Sequence, residues 1–168
     1  IYALLTYRAD GQGYIQPGFD KIFMIPASGG APRQLTFGPY HDGGPLSWSK
    51  DGSTLYFDAN RKPDWQTDPV EGEVYALDIA SGAIRQLTDR DGPDGHPVVS
   101  PDGSKIAYLG FDDARRAYEN DDLYVMNTDG SNRRILTENW DFSPANIVWD
   151  HDGGGIYAQY DDAGETKV

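Results

Sequence analysis

The distribution of apolar positions along the chain is that of many short β-strands. Runs rich in Val, Ile, Leu, Tyr and Phe alternate with clusters of Gly, Asp, Ser and Pro, and Thr54 to Asp58, Glu73 to Asp78 and Lys105 to Gly110 are examples. Branched and aromatic side chains favour strands, whereas Gly-rich clusters favour the turns between them. The pattern therefore predicts an all-β protein.

Three markers in the sequence recur with one period. The turn Ser49 to Gly52 has counterparts at residues 100–103 and, in weaker form, 150–153, so its spacings are 51 and 50 residues. The pair Leu35-Thr36 recurs at residues 87 and 136, and the apolar triplet Ile22 to Met24 recurs at residues 74 and 123. Repeats of roughly 40–50 residues that each contain four short strands are typical of β-propeller blades.

Two of these repeat units contain all four predicted strands. The prediction is an all-β, partial β-propeller of about three four-stranded antiparallel blades, in one domain. Its blade parts are residues 1–36, 45–88, 96–137 and 145–160. The predicted strands of the two complete units are Leu46–Ser49, Thr54–Asp58, Glu73–Asp78, Ala83–Leu87, Val98–Ser100, Lys105–Gly110, Asp122–Asn127 and Arg133–Leu136.

The terminal units are incomplete in this scheme. Residues 1–36 supply three strands of a first blade, beginning inside a predicted strand from Ile1 to Tyr7, and residues 145–160 supply two strands of a last one. Propellers usually close with about 4–8 blades, so the sequence is interpreted as a fragment of a larger ring. Open blade edges would expose unpaired backbone and apolar faces, which predicts self-association.

The connections between strands predict where binding occurs. The long links are residues 36–44, 88–95 and 137–144 between blades, and 8–20, 59–72 and 111–121 within them. Because strand direction alternates, all of these links emerge on one face, here called the loop face. Arg and aromatic residues are enriched at binding hot spots, although the same side chains could simply anchor loops. The candidate substrate- or partner-facing residues are Arg8, Tyr14, Tyr40, Arg61, Trp65, Arg115, Arg116 and Trp140.

Motifs for chemistry are scarce. The nucleophile motif Gly-x-Ser-x-Gly is absent, so no catalytic residue is assigned. No cofactor and no metal site are predicted, because the acidic run Asp89 to Gly95 lacks the full spacing of a calcium loop. Glu71 and Glu73 fall on the same side of a strand, and a solvated edge is the interpretation chosen for them.

The net charge and the composition limit the classes of partner that the chain can bind. The net charge of −13 argues against nucleic acid, because phosphate contacts need clustered Lys and Arg. No apolar run is long enough to span a bilayer. The chain has no Cys, which excludes disulfides and is compatible with either the periplasm or the cytoplasm. The compartment is left open, with the periplasm preferred.

A family resemblance gives these patterns a functional meaning. The repeat from Leu35-Thr36 through Trp48 to Phe57 resembles the WD-like repeats of TolB-type propellers. Three further segments make the likeness more specific: Tyr7 to Tyr14, Lys21 to Pro26 with Pro32 to Thr36, and Asn60 to Trp65. Together they resemble the N-terminal β-propeller of bacterial serine peptidases of the prolyl oligopeptidase family, in the acylaminoacyl-peptidase or dipeptidyl-peptidase-like branch.

The resemblance implies a role without catalysis in this chain. In that family the propeller caps a C-terminal α/β-hydrolase domain, which carries the catalytic residues, and it gates or docks short peptides. The parent protein is therefore expected to be a serine peptidase. The dipeptidyl-peptidase branch binds the substrate amine with paired Glu residues, but that role is not carried over to Glu71 or Glu73. The alternative function is a TolB-like scaffold for protein–protein interaction.

The repeat also predicts where two tryptophans lie. Trp48 and Trp149 occupy matching positions just before the recurring turn. Both are therefore expected to be buried between blades.

Overall fold

The computed structural model describes residues 4–5, 7–11 and 13–168. All the regular secondary structure within these residues is β-strand. The strand predicted from Ile1 to Tyr7 falls largely on residues outside this set. The strands are β1 (Arg8–Ala9), β2 (Gly13–Tyr14), β3 (Phe23–Met24), β4 (Arg33–Gln34), β5 (Asp42–Trp48), β6 (Thr54–Ala59), β7 (Glu73–Asp78), β8 (Ile84–Gln86), β9 (Asp94–Val99), β10 (Lys105–Gly110), β11 (Asp122–Asn127), β12 (Arg134–Ile135), β13 (Ala145–Trp149), β14 (Ile156–Asp162) and β15 (Glu165–Lys167).

Two four-stranded antiparallel sheets form the centre, in the orders β5-β6-β7-β8 and β9-β10-β11-β12. Their first strands begin at Asp42 and Asp94, four residues earlier than the sequence predicts. The Gly-rich starts resemble loop sequence, but both strands continue through a register shift. Gly44 at φ 76° and His96 at φ 56° adopt the left-handed conformation that such bulges need.

The terminal sheets are smaller. β3 pairs with β4, β1 pairs with β2, and β13-β14-β15 form a three-stranded sheet. The third strand, Glu165–Lys167, was not predicted. Ala163 and Gly164 both have positive φ, 51° and 84°, which is the geometry of a two-residue turn that returns the chain at once. The final blade part therefore extends beyond residue 160.

Apolar clusters lie between successive sheets, which stack face to face. The cluster between the β3–β4 sheet and the β5–β8 sheet is here called the first junction: Ile22, Leu35, Leu55, Phe57, Ala59, Tyr75 and Leu77. The cluster between the β5–β8 and β9–β12 sheets is the second junction: Tyr56, Val74, Ala76, Leu87, Ile106, Tyr108, Tyr124 and Met126. A third cluster joins β9–β12 to the last sheet: Ala107, Leu109, Leu123, Val125 and Ile147.

Side-chain alternation explains how one strand serves two clusters. On β6, Leu55 and Phe57 point into the first junction and Tyr56 points into the second. β9 packs against both β5 and β13, so the first strand of each sheet lies nearest the common axis. Sheets stacked in this way around an axis are the blades of a propeller, and the predicted fold class is confirmed.

The recurring Leu-Thr marker has a structural cause. In each unit the Thr hydroxyl, which sits just after the fourth strand, accepts a hydrogen bond from a backbone amide at the start of the third strand. This bond satisfies an amide that the sheet itself leaves without a partner. The pairs are Ile22 N to Thr36 Oγ1 at 3.0 Å, Val74 N to Thr88 Oγ1 at 2.9 Å and Leu123 N to Thr137 Oγ1 at 2.9 Å.

The two tryptophans differ, which corrects one prediction. Trp149 is partly buried and its indole Nε1 donates a hydrogen bond to Val98 O at 2.8 Å, across to the preceding sheet. Trp48 is 44% exposed. Matching positions in the repeat therefore do not give the two rings the same burial.

Candidate functional site on the loop face

The strand registers place the long links of the two central sheets at one end of these sheets. Asp42 pairs with Ala59, which in turn pairs with Glu73, and Gly110 pairs with both Asp94 and Asp122. The segments 60–72, 87–93 and 111–121 all leave the sheets from this edge. The loop face thus brings together residues that are far apart in sequence.

A pair of carboxylates lies at the centre of this face. Glu71 is 5% exposed and Glu73 is fully buried. The Lys62 ammonium lies 2.7 Å from Glu71 Oε1 and 3.8 Å from Glu73 Oε1. The other oxygens are held by the fold, since Gly92 N donates to Glu71 Oε2 at 3.2 Å and the Thr88 hydroxyl donates to Glu73 Oε2 at 2.6 Å. The interpretation of this pair as a solvated edge is therefore wrong.

The inner oxygens of the pair are incompletely satisfied. Within the described residues, neither Glu71 Oε1 nor Glu73 Oε1 receives a hydrogen bond of good geometry. Burial raises the pKa of Glu73 to about 7, against the hydrogen bond from Thr88, and the nearby Asp94 carboxylate adds to the rise. Partial burial lowers the pKa of Lys62, but its contacts with Glu71 and Glu73 outweigh this and raise it. The pair is an acceptor site for a cation, and Lys62 occupies it.

An acidic rim surrounds this pair. Asp68, Glu71 and Asp91 each offer an oxygen within 4.8 Å of the others. The Arg115 guanidinium lies 3.5 Å from Asp68 Oδ2, 3.9 Å from Asp91 Oδ1 and 3.4 Å from Asp113 Oδ2. Arg115 has a positive φ of 58°, which is uncommon for a side chain of its size. Lys62 and Arg115 partly neutralise this acidic rim.

A second charged group lies at the edge of the first junction. Asp42 is buried, and it accepts hydrogen bonds from Lys21 Nζ at 2.9 Å and from Arg61 Nη1 at 2.5 Å. The Arg61 guanidinium also lies over the Tyr40 ring, 5.0 Å from its centroid. The structure thus brings together the predicted residues Tyr40 and Arg61. Their contacts are to neighbouring side chains of the same face.

The predicted tryptophans belong to two different aromatic groups. Trp65 makes edge contacts with Phe19 and His41, at centroid distances of 6.0 and 5.7 Å. Trp140 packs against Phe142 and Tyr160 beside the last sheet, at 5.6 and 4.9 Å. The first group ties loops together and the second holds a loop against β14, which is the anchoring alternative that the sequence left open.

The other predicted residues lie towards the periphery. Arg8 and Tyr14 pair across the β1–β2 hairpin, and Tyr14 is exposed. Arg116 lines an open groove with Tyr118 and Glu119 in the segment 111–121. The assignment of these residues to substrate or partner contacts stays a prediction.

Sequence reasoning missed Lys62 and interpreted Glu71 and Glu73 as a solvated edge. A usable signal exists for Glu73, because it immediately precedes the recurring apolar triplet, where the other units carry Lys21 and Asp122. A charged residue recurring immediately before a buried apolar triplet indicates a strand end at a polar junction. The burial of Glu71 depends on Gly92 in a separate link, and no pattern near Glu71 reveals it.

Comparison with known proteins agrees with this fold. Residues 10–108, more than half of the chain, match the family described as the dipeptidyl peptidase IV (DPP IV) N-terminal region. The chain belongs to this family. Among sequence relatives, dipeptidyl-peptidase 5 of Porphyromonas gingivalis is 26% identical over 132 residues, covering 76% of this chain and 19% of that protein. A probable dipeptidyl-peptidase 5 of Arthroderma benhamiae is 27% identical over 143 residues, covering 77% of this chain and 19% of that protein.

Solved structures support the same architecture. Puromycin hydrolase aligns over 95% of this chain and 29% of its own, with a TM-score of 0.66 and 18% identity. TolB from Acinetobacter baumannii aligns over 86% and 33%, with a TM-score of 0.65 and 20% identity. At these identities the likeness shows the fold alone. The chain spans about a fifth of the length of the sequence relatives that it matches, 19% in each case. No helix among the described residues is long and apolar enough to cross a membrane.

Proposed function

We propose that this propeller region docks short peptides on its loop face and gates their access to a C-terminal α/β-hydrolase domain, while supplying no catalytic residue itself. Membership of the dipeptidyl peptidase IV N-terminal family supports a peptide as the partner. The observation that carries the proposal is the buried Glu71–Glu73 pair, whose inner oxygens lack hydrogen bonds.

The chemistry of this pair selects the end of the peptide that binds. A protonated amine offers three donors and a positive charge, and it fits two carboxylate oxygens whose only nearby cation among the described residues is Lys62. Lys62 already places an ammonium between these oxygens. Because the Lys62 side chain is over one third exposed, it can move away when the amine of a peptide enters. The peptide would therefore exchange one ammonium for another, which limits the desolvation cost.

Peptide binding to the chain tests this docking role. A short peptide with a free amine is expected to bind, and its N-acetylated form is expected to bind at least about tenfold more weakly, since it has lost the charge. Isothermal titration calorimetry measures both affinities. Equal binding of the two peptides contradicts the proposal, and it is also the result that a general protein-binding scaffold predicts.

Substitution at the pair localises the site. Glu71→Gln keeps the shape of the side chain and removes its charge. It should therefore lower the affinity for the free-amine peptide and leave the affinity for the acetylated peptide unchanged. Asp152→Asn is the matched control, because Asp152 is an exposed carboxylate in the turn after β13, at the opposite end of the sheets. A loss of affinity in both variants would indicate general electrostatic attraction rather than a site.

Catalysis and gating need separate measurements. The chain by itself should not hydrolyse aminoacyl or peptidyl chromogenic substrates, and turnover that survives repurification would overturn this part. In a longer protein that includes the hydrolase domain, Glu71→Gln should raise KM for free-amine substrates more than it lowers kcat. A fall in kcat with unchanged KM would contradict a docking role.

A further inference from the structure

We propose that a cavity in the second junction binds a small carboxylate, held by Arg90 and Arg133 beside the rings of Tyr108 and Tyr124. The cavity has a volume of about 140 Å³ and lies between the β8–β9 link and the β9–β12 sheet. Its full lining is Arg90, Asp94, Tyr108, Tyr124, Arg133, Arg134 and Ile135. This inference is independent of peptide docking, since it uses neither Glu71 nor Lys62.

Aromatic rings give the cavity a flat wall. Tyr108 and Tyr124 stack with their centroids 5.1 Å apart and their planes 16° from parallel. The Arg90 guanidinium lies over Tyr124, 4.2 Å from the ring centroid. A guanidinium stacked in this way keeps a fixed orientation and presents its edge to a ligand. The wall therefore favours a planar group.

The arginines differ in what they still offer. Arg133 is already held, because it donates to Asp89 Oδ1 at 2.5 Å and to Leu87 O at 2.8 Å, so it contributes mainly charge. Arg90 donates through Nη2 to Asp94, but its Nε is buried and makes no hydrogen bond within the described residues. This nitrogen forms an ion pair with Asp112 Oδ1 at 3.3 Å, on a largely exposed side chain. Arg90 Nε is therefore weakly paired, and the guanidinium contributes its charge, and N–H groups beyond the one bound to Asp94, to the cavity lining.

The first junction shows that the fold does not require these arginines. Phe57 and Tyr75 stack there in the same arrangement, 5.6 Å apart at 25°. One repeat before Arg133, the chain carries Ile84, which packs against the apolar cluster. One repeat before Arg90 it carries Gly38. In a chain with a net charge of −13, the arginines that line one small cavity are a local exception.

A carboxylate matches this lining better than other anions. It is planar, and its two oxygens accept from the edge of a guanidinium in a bidentate pair. The cavity volume suits a group of a few heavy atoms. Partial removal of both charges from water strengthens their attraction relative to an exposed pair. Chloride cannot form a bidentate pair, and phosphate is tetrahedral rather than planar.

The pH dependence of binding should follow Asp94, which is the carboxylate in the lining. Burial raises the pKa of Asp94 to about 6, against the opposing charges of Arg90 and Arg133. Glu73 approaches from β7 and Tyr108 from β10, and both interact with Asp94. Protonation of Asp94 removes a competitor for Arg90, so carboxylate affinity should rise as the pH falls from 7 to 5.5.

Nuclear magnetic resonance titration of the chain tests the site directly. Acetate is added at constant ionic strength, balanced with chloride, while the Nε–Hε signals of Arg90 and Arg133 and the amide of Asp94 are followed. We expect saturable shifts with Kd in the millimolar range, about 1–50 mM, which fits a ligand of this size. Shifts that do not saturate, or equal shifts with phosphate, would overturn the carboxylate assignment.

Two further ligands separate the possible sources of the carboxylate. Gly-Gly carries a C-terminal carboxylate, and Gly-Gly amide does not. If only free small acids fit, acetate binds and Gly-Gly does not; if peptide ends also fit, Gly-Gly binds and its amide does not. Both results support a carboxylate site. Binding of the amide at the same signals contradicts it.

A substitution copied from the first junction supplies the matched variant. Arg133→Ile introduces the residue that the chain itself uses at the equivalent position, Ile84, so the fold should tolerate it. Acetate affinity is expected to fall at least about tenfold. Arg85→Ile is the control, since Arg85 is an exposed arginine on β8 outside the cavity lining. Unchanged affinity in Arg133→Ile, with the fold confirmed by amide spectra, overturns the proposal.

Discussion

The two complete junctions share a backbone plan but differ in the charges at their loop-face edges. At the first junction, Lys21 opposes the buried Asp42, and Arg61 adds a second cation. At the second, Glu73 replaces the lysine and stands near Asp94, which leaves two acidic groups together. In both, a Thr hydroxyl accepts a hydrogen bond from a backbone amide at the start of the third strand. The repeated hydrogen bond preserves the blade, so the charged position beside it is free to change.

The consequence of that difference is electrostatic. Opposite charges at the first junction neutralise each other in a buried setting, where an unpaired charge is costly. Burial at the second junction raises the pKa of Glu73 to about 7, with a smaller contribution from the Asp94 charge, and burial raises the pKa of Asp94 to about 6. Perturbed groups of this kind are concentrated at functional sites, although structural networks also produce them. The second junction is therefore the one that lies beside both proposed ligand sites.

The largest effect on stability is expected for a substitution in the apolar cluster of a junction. Phe57 is fully buried in the first junction, and Phe57→Ala should lower the free energy of unfolding by about 3–5 kcal/mol because it leaves a cavity. Trp48→Ala removes a larger but half-exposed ring, so its cost should stay near 1 kcal/mol or less. Urea denaturation compares the two. Equal losses would show that the ring of Trp48 is covered after all.

The buried ion pairs of the first junction come next. Asp42→Ala leaves Lys21 and Arg61 facing each other without a counter-charge, and this should cost about 3 kcal/mol. Asp20→Ala is the control, because Asp20 pairs with His41 on the exposed surface and should cost under about 1 kcal/mol. If Asp42→Ala is as mild as the control, the contrast between the two junctions loses its energetic basis.

The second junction should make stability depend on pH in the opposite sense to ordinary carboxylates. Glu73 and Asp94 bind protons more tightly in the folded state, so stability falls as the pH rises from about 4 towards 7, by an amount on the order of 1–3 kcal/mol. Asp51 behaves conversely, since hydrogen bonds from Ser49 and Ser53 lower its pKa to about 2, and its contribution is lost only in strong acid. The denaturation midpoint should therefore peak near pH 4.

Glu73→Gln tests the assignment of this slope. The amide cannot ionise, so the loss of stability between pH 5 and 7 should become shallower, leaving the part due to Asp94. Glu119→Gln is a control, because Glu119 is a partly exposed carboxylate on a loop of the same face. A slope that is unchanged in Glu73→Gln would assign the pH dependence to another group.

The shared threonines allow a finer comparison. The hydroxyls of Thr36 and Thr88 each accept a hydrogen bond from a backbone amide. The Thr88 hydroxyl also donates a hydrogen bond to the buried Glu73 carboxyl group. Thr88→Val should therefore cost about 1 kcal/mol more than Thr36→Val, since it removes an additional hydrogen bond to a buried carboxyl group. Thermal unfolding of the two variants measures the difference. Equal costs would mean that the Thr88–Glu73 bond adds nothing to stability.

The smallest expected effect concerns the faces that no junction covers. Val148 and Tyr157 pair on the outer face of the last sheet, and both are exposed. If self-association occurs as predicted, Tyr157→Lys should shift the chain towards the monomer in sedimentation at high micromolar concentration. Tyr118→Lys, on an exposed loop, is the control. A monomeric unmodified chain counts against the prediction.

The sequence predicted the fold well because the relevant signals are local and repeated. The strands Glu73–Asp78, Lys105–Gly110 and Asp122–Asn127 were predicted with their observed bounds, since each is an apolar run flanked by turn residues. The errors fell where one element depends on another. The early starts of β5 and β9 need pairing partners across a bulge, and the exposure of Trp48 depends on which sheet faces it.

What the sequence alone determined is the blade: a period of about fifty residues, alternation within each strand, and a Leu-Thr marker whose hydroxyl serves a fixed amide. These depend on short-range chemistry that each unit carries by itself. The tertiary structure alone decided which charges are buried together. Glu71 meets Gly92, Glu73 meets Thr88, and Arg90 meets Tyr124 only after links from different blades converge on one face. Burial then sets the pKa values and the unsatisfied donors and acceptors on which both proposed sites depend, because a charge is perturbed by its surroundings in space and not by its neighbours in sequence.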